Sequence, residues 1–210
     1  MMFTKLFLIS LLTVTAISTD AMAEVDFNTN ISANSNYVWR GMTQTNNQAA
    51  VQGGIDLNMG AFYIGAWTSN VLNDTEIDGY VGMKGKVSNT VEYDLGFIRY
   101  GYLNTSSNNF NETYLALTED LSYGRFTVKY SKGMSDAPDD LAVDLSIALP
   151  RQYFLDLAWG DYDSVAKRYS VGLSKSFGQV DFSAVYYKTS FDTSAKEDEK
   201  NIVVSVGTSF

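Results

Sequence analysis

The chain has 210 residues, a formal net charge of −9, no Cys, no His and only two Pro. A chain without Cys or His has no disulfide framework, no thiol or imidazole nucleophile and no zinc ligand set of the usual kind. The acidic balance argues against a nucleic-acid partner, because a surface that binds a polyanion needs a basic excess. We therefore predict neither an enzyme nor a bound cofactor.

Residues 1–23 have the layout of a secretory signal peptide. Lys5 precedes an apolar run from Leu6 to about Ile17, and the small-residue site Ala21-Met22-Ala23 follows. The run is too short to span a membrane as a helix. We expect cleavage after Ala23, so that the exported domain comprises residues 24–210.

The rest of the chain has the alternation of β-strands. From Val25 to Trp39 the apolar residues fall mostly at odd positions and the polar residues mostly at even positions. The same pattern recurs to the last residue, where Ile202, Val204 and Phe210 share one face. The sequence predicts twelve strands of about ten residues, the length that a tilted strand needs to cross a bilayer.

Short turns and longer polar connections alternate between these strands. The longer connections are predicted at residues 41–48, 70–75, 104–109, 133–139, 160–167 and 190–200. An even number of strands places both termini on the side of the short turns. This is the arrangement of outer-membrane barrels, which have short periplasmic turns and longer extracellular loops.

One predicted turn provides an independent check on the strand register. A turn at Ser88-Asn89-Thr90 places Lys86 opposite Glu92 and Lys84 opposite Asp94 on the polar face. Opposite charges at facing positions stabilise an antiparallel pair. The turn therefore supports a hairpin in which the polar faces of both strands point to the same side.

A soluble β-sandwich has the same alternation of polar and apolar residues. Strand length, the even strand count, the alternating connections and the aromatic residues near strand ends favour a membrane protein instead. We predict an all-β fold, a transmembrane antiparallel up-and-down β-barrel. Its apolar face contacts the outer-membrane lipid, and its polar face lines a lumen.

Several stretches resemble the TorF-type porins, a proteobacterial outer-membrane family. The similar segments lie in residues 35–57, which include Tyr37-Val38-Trp39-Arg40-Gly41, and in residues 62–71, 76–79 and 111–114. The resemblance implies a location in the bacterial outer membrane and a passive channel for small polar solutes or ions. Phe210 is similar to the terminal aromatic residue that such barrels present to the barrel-assembly machinery. We expect it to close the barrel against the first strand.

The charged residues of the predicted polar face are the candidate pore-lining residues, because fixed charge in a narrow passage concentrates the opposite ion. They are Arg40, Glu76, Asp78, Lys84, Lys86, Glu92, Asp94, Arg125, Lys129, Asp144, Asp156, Arg168 and Asp181. Arg40 has three interpretations at this stage: a constriction residue, an ion-pair partner of Glu76 or Asp78, or a side chain that reaches lipid headgroups. Glu76, Asp78 and Asp74 lack the loop geometry of a calcium site, so no metal is predicted.

Two functions remain open from the residues alone. The first is a passive channel with a weak preference for cations, which the acidic outer loops favour. The second is a barrel filled by its own paired side chains, whose extracellular loops bind a partner. Twelve strands do not decide between them, since smaller barrels are filled and larger ones are open.

Overall fold

A computed structural model describes residues 25–210, and the predicted signal peptide lies outside the described residues. Twelve strands form a closed antiparallel barrel, in which each strand pairs with its neighbours in chain order. These wall strands are β1 (Val25–Asn34), β4 (Ala50–Met59), β5 (Phe62–Val71), β6 (Asp74–Lys86), β7 (Val91–Tyr100), β8 (Phe110–Leu121), β9 (Gly124–Gly133), β10 (Asp140–Leu149), β11 (Tyr153–Tyr162), β12 (Ala166–Phe177), β13 (Val180–Phe191) and β14 (Glu199–Ser209). The predicted fold class and strand number are confirmed.

Four short elements complete the described chain. Strands β2 (Val38–Trp39) and β3 (Met42–Thr43) pair with each other and not with the wall. Two single 3-10 turns lie at Ser106–Asn108 and Pro150–Gln152. No helix in residues 25–210 is long and apolar enough to cross a membrane.

The hairpin registers follow the charge pattern of the sequence. Lys86 lies opposite Glu92 and Lys84 lies opposite Asp94 between β6 and β7, as predicted. The alternation forces this register, because a slip by one residue would move every polar side chain to the lipid face.

The barrel closes between the first and the last wall strand. Residues Asn30–Asn34 of β1 pair with Ser205–Ser209 of β14. Beyond this ladder, the N–H of Thr29 donates to the carbonyl of Phe210 at 3.1 Å, and the N–H of Phe210 donates to the carbonyl of Thr29 at 2.9 Å. Phe210 thus contributes its backbone to the closing seam, and its role in assembly stays a prediction.

The burial pattern is inverted relative to a soluble protein. Large apolar side chains such as Phe27, Ile64 and Val171 are exposed on the outer face, while Glu76 and Glu112 inside are almost completely buried. A continuous apolar outer surface of this kind is typical of a barrel surrounded by lipid.

Two predicted long loops are wrong. Leu72 and Asn73 alone connect β5 to β6, and residues 163–165 connect β11 to β12. Asn73 and Ser164 have φ near +60°, which suits a tight turn. The polar residues on either side belong to strands that continue pairing beyond the apolar belt. Polarity alone therefore predicts a loop where the strands in fact continue.

The predicted end of the first strand is also wrong. The alternation continues to Trp39, but β1 ends at Asn34, and residues 35–49 leave the wall. Tyr37 is buried inside the barrel instead of facing lipid. Aromatic residues suit a packed interior as well as a lipid face, so the alternation alone could not locate this change.

The lipid face is open to a direct test on two neighbouring residues of β12. Val171→Lys places a charge on the exposed outer face near the middle of the strand and should lower the free energy of unfolding by about 2–4 kcal/mol. Ser170→Lys, one residue away on the lumen face, should cost less than about 1 kcal/mol. Urea titration of the refolded barrel in lipid vesicles measures both, and equal losses would contradict the assignment of the faces.

Candidate functional site

The segment between β1 and β4 folds into the barrel as a small hairpin. Val38 pairs with Thr43 and Trp39 pairs with Met42 across the two-residue loop Arg40-Gly41. Both loop residues have positive φ, 48° and 82°, which is the geometry of a type I′ turn. Glycine at the second position makes this turn possible without strain.

The base of the hairpin is held by short polar side chains. The N–H of Tyr37 donates to Thr45 Oγ1 at 3.1 Å, and Thr43 Oγ1 donates to Asn36 Oδ1 at 2.7 Å. Asn36, Tyr37 and Thr45 are all buried. The base is therefore an ordered part of the barrel.

The tip of the hairpin contacts β13, which lies two strands from β1 in the wall. Thr189 Oγ1 on β13 donates to the carbonyl oxygen of Gly41 at 2.7 Å. A Cβ atom on Gly41 would lie only 2.2 Å from Thr189 Oγ1 and 2.9 Å from Arg168 Cβ. The close approach therefore requires glycine at this position.

Arg40 extends from the tip to two acidic residues of the wall. Its Nη1 and Nη2 donate to the two carboxylate oxygens of Glu112 on β8, each at 2.7 Å, and its Nε lies 3.4 Å from Asp140 Oδ2 on β10. Burial opposes the charge of Arg40, but the hydrogen bonds to Glu112 and the charge of Asp140 raise its pKa above the ordinary value. Arg40 is thus a buried, permanently charged crosslink between the hairpin and the wall.

A second arginine completes this group. Arg168 on β12 donates to both oxygens of Asp140 at 2.6 and 2.9 Å. Its guanidinium lies over Gly160, where a Cβ atom would approach Arg168 Cζ to 2.2 Å. We refer to Arg40, Glu112, Asp140 and Arg168 as the arginine–carboxylate cluster, which contains two positive and two negative charges.

Aromatic rings surround the hairpin tip. The Trp39 ring packs edge-on against Tyr100, Phe110 and Tyr162, with centroids 5.6–6.0 Å apart. The guanidinium carbon of Arg40 lies 4.3 Å from the Trp39 ring centroid and 4.6 Å from that of Tyr162. These cation–π contacts add to the ion pairs that hold the tip.

The hairpin seals the lumen at the end opposite to the termini, which we refer to as the outer end. Each of the twelve wall strands has a buried residue near this end. In strand order they are Asn34, Ala50, Ser69, Glu76, Tyr100, Glu112, Ser131, Asp140, Tyr162, Ala166, Thr189 and Asn201. Toward the other end, the side chains of Lys86 and Arg125 are 58% and 35% exposed. The outer end of the lumen is therefore filled by the hairpin and its buried neighbours, while the side chains of Lys86 and Arg125 reach solvent at the turn end.

The predicted ion-pair partner of Arg40 is wrong. Glu76 and Asp78 lie on β6 beside Tyr37, whereas Arg40 binds Glu112 and Asp140. The reason is that the hairpin carries Arg40 across the lumen, away from its neighbours on the near wall.

The remaining predicted residues face the lumen in several small groups. Near the turn end, Glu92 accepts a hydrogen bond from Arg125 at 3.2 Å and lies 4.0 Å from Lys86. Lys84 donates to Asn58 at 2.8 Å, and Asp181 accepts from Ser176. These charges are partly paired and lie toward the turn end of the lumen.

The middle of the lumen combines charges with tyrosines. Tyr63 donates to Asp94 at 2.6 Å, and Lys129 Nζ lies 3.9 Å from the ring centroid of Tyr114. Asp144 and Asp156 face the lumen from β10 and β11, in the register opposite Ala158 and Ser146. The predicted pore-lining set thus spreads along the whole lumen instead of forming one ring.

Sequence reasoning missed Glu112 and Asp140, the two acids that bind Arg40. Both occupy polar positions of their strands, so the alternation could have placed them in the lumen. Tyr63 and Tyr80 were also missed. Each lies flat over a glycine of the next strand, Gly82 and Gly65, and this pairing of tyrosine and glycine across neighbouring strands is a signal in the sequence.

Within residues 25–210, no group of three or more acidic side chains is placed to hold a metal ion.

Comparisons with known proteins agree with the fold. A family model described as "Bacterial protein of unknown function (Gcw_chp)" matches residues 18–210. No curated protein sequence matches the chain significantly. The chain is similar in structure to the KdgM porin (TM-score 0.66, 11% identity, 87% of this chain and 98% of that chain). It is also similar to a structure titled "KdgM porin in complex with disordered oligogalacturonate" (0.63, 11%, 88% and 97%) and to the NanC porin (0.57, 9%, 88% and 99%). At these identities the likeness concerns the fold, over nearly the full length of each structure.

The glycine at the hairpin tip can be tested against a matched control. Gly41→Ala forces a Cβ atom into Thr189 in addition to the strain of a positive φ, so it should lower the free energy of unfolding by about 2–3 kcal/mol. Gly178→Ala has a φ of 62° but open space around it and should cost only about 1 kcal/mol. Urea unfolding of both refolded variants decides the matter. Equal losses would mean that the tip does not contact β13.

Proposed function

The chain belongs to the Gcw_chp family, and from its porin-like barrel we propose that it is an outer-membrane porin of the TorF type, a passive diffusion channel for small polar solutes or ions. The observation that carries this proposal is the closed barrel with an apolar outer face and a charged inner face along its length. A polar, water-accessible lumen is the requirement for passive diffusion across a membrane.

The charge of the lumen supports a preference for cations or neutral solutes. Acidic residues outnumber basic ones on the inner face of the described barrel. The acids include Asp26, Asp56, Glu76, Asp78, Glu92, Asp94, Glu112, Asp120, Asp140, Asp144, Asp156, Asp181 and Glu199, and the bases are Arg40, Lys84, Lys86, Arg125, Lys129 and Arg168. An acidic passage attracts cations and repels anions. A polyanion such as the oligogalacturonate in the KdgM complex is therefore a poor candidate solute for this chain.

The sealed outer end supports a second candidate function. Glu76 and Glu112 are each only 1% exposed, and the hairpin fills the outer end of the lumen. A barrel that stays sealed would act through its extracellular loops as a structural or partner-binding protein.

Electrical recording from the refolded protein separates these two functions. Residues 24–210 inserted in a planar bilayer should give discrete, reproducible current steps, because the charged lumen admits hydrated ions once the hairpin moves. A barrel that is inserted, shifts in electrophoretic mobility on heating and stays electrically silent would support the second function.

The cation preference has its own test at the outer end. Glu76→Gln/Asp78→Asn removes two neighbouring buried carboxyl groups; the loss of one unit of negative charge, worth about 0.5–1 kcal/mol to a passing ion in water, should lower the cation-to-anion permeability ratio roughly two- to fivefold. Asp161→Asn removes an acid that pairs with Lys167 on the outer face and should leave the ratio unchanged. Reversal potentials in a KCl gradient give both ratios. An unchanged ratio in the double variant would contradict an acidic selectivity path.

A further inference from the structure

We infer that Glu112, Asp140 and Tyr162 form a cation subsite of the pore for alkylguanidinium and alkylammonium groups, and that Arg40 occupies this subsite when the lumen is sealed. A solute cation that takes the place of Arg40 releases the hairpin and opens the outer end. This inference rests on the proposed porin function, because it assigns the solute class and the opening step of that channel.

The arginine–carboxylate cluster is balanced in charge only while Arg40 is in place. Arg168 already donates to both oxygens of Asp140, so Arg40 is the cation that balances Glu112. Without Arg40, Glu112 would retain the 3.4 Å hydrogen bond from Tyr100 while being 1% exposed. A buried carboxylate without its counter-ion is strongly unfavourable. The hairpin therefore leaves readily only when another cation binds Glu112.

The shape of the subsite matches a guanidinium group. Both carboxylate oxygens of Glu112 accept a hydrogen bond from the guanidinium of Arg40, each at 2.7 Å. The Tyr162 ring centroid lies 4.6 Å from the guanidinium carbon. This combination of a flat fork and an aromatic face fits guanidinium better than ammonium. The subsite should thus rank alkylguanidinium above alkylammonium, and both above K⁺.

Arg40 and a free solute cation compete for the same subsite. Arg40 is tethered by the hairpin, and a short tether gives an effective concentration in the millimolar range or above. A ligand that binds only the open state shifts the equilibrium toward that state. Opening should therefore respond to solute cations at millimolar concentration and above.

Lys129 is the alternative internal cation that the structure offers. It lies on β9, in the register opposite Ala116, with its Nζ over the Tyr114 ring. If Lys129 moved to Glu112 whenever Arg40 left, the hairpin would open without any solute.

The wild-type channel provides the first test. Methylguanidinium chloride is added on both sides of a planar bilayer that contains the refolded protein in KCl, with methylammonium chloride as the matched control. Opening frequency should rise several-fold with millimolar methylguanidinium and less with methylammonium, and R40A should open without either. An opening frequency that is independent of both cations would overturn the inference, including the case in which Lys129 replaces Arg40.

Thermal unfolding provides a second test that does not need conduction. In detergent, methylguanidinium at constant ionic strength should raise the midpoint of R40A and leave that of R40A/E112Q unchanged, with urea as a control for denaturant effects. If methylguanidinium raises the unfolding midpoint of R40A but the protein gives no current steps, the subsite is supported and the porin function is rejected. Current steps without rescue and without cation dependence would support the porin and reject the subsite. If R40A does not refold, R40K takes its place in the conductance test: it keeps the charge but loses the fork, so it should open at a lower methylguanidinium concentration than the wild type, and an unchanged concentration dependence would overturn the inference.

Discussion

The structure depends on the closure of its backbone hydrogen bonds between β1 and β14. In the hydrocarbon of a membrane an unpaired N–H or C=O group costs several kcal/mol, so a spanning sheet must have no free edge. The Asn30–Asn34 ladder, the reciprocal bonds between Thr29 and Phe210 and the bond from the Ser35 N–H to the Val204 carbonyl close this seam over part of its length. Because β1 is needed in the wall only up to Asn34, the residues after it are free to enter the lumen.

The hairpin that enters the lumen is specified by a few residues with separate physical roles. Gly41 permits both the positive φ and the contact with Thr189, and Gly160 makes room for the guanidinium of Arg168. Trp39 fills the space between the walls, and Arg40 places a charge where two acids are buried. Each of these contacts joins residues far apart in the chain, so the seal forms only when the barrel is closed.

The chain shares the fold of the KdgM and NanC porins although only about one tenth of the aligned residues are identical. The fold itself therefore requires little of a barrel sequence. Lipid-facing positions need only be apolar, and the wall needs only alternation and tight turns. The inner face has more freedom, and there this chain has an acidic lumen and a hairpin held by ion pairs. The fold thus depends mainly on the outer face of the strands, while the charges of the inner face can differ between chains of the same fold.

The sequence by itself determined the barrel, the strand number and the register of the β6–β7 hairpin, because these follow from an alternation of period two that every strand repeats. It also placed Arg40 on the lumen side, together with Lys84 opposite Asp94 and Lys86 opposite Glu92. Only the tertiary structure decided that Arg40 binds Glu112 and Asp140, since closing a barrel brings together residues that are 72 and 28 positions apart in pairs such as Arg40–Glu112 and Arg168–Asp140. Alternation fixes the face of a side chain, but it carries no information about which residue lies across the lumen.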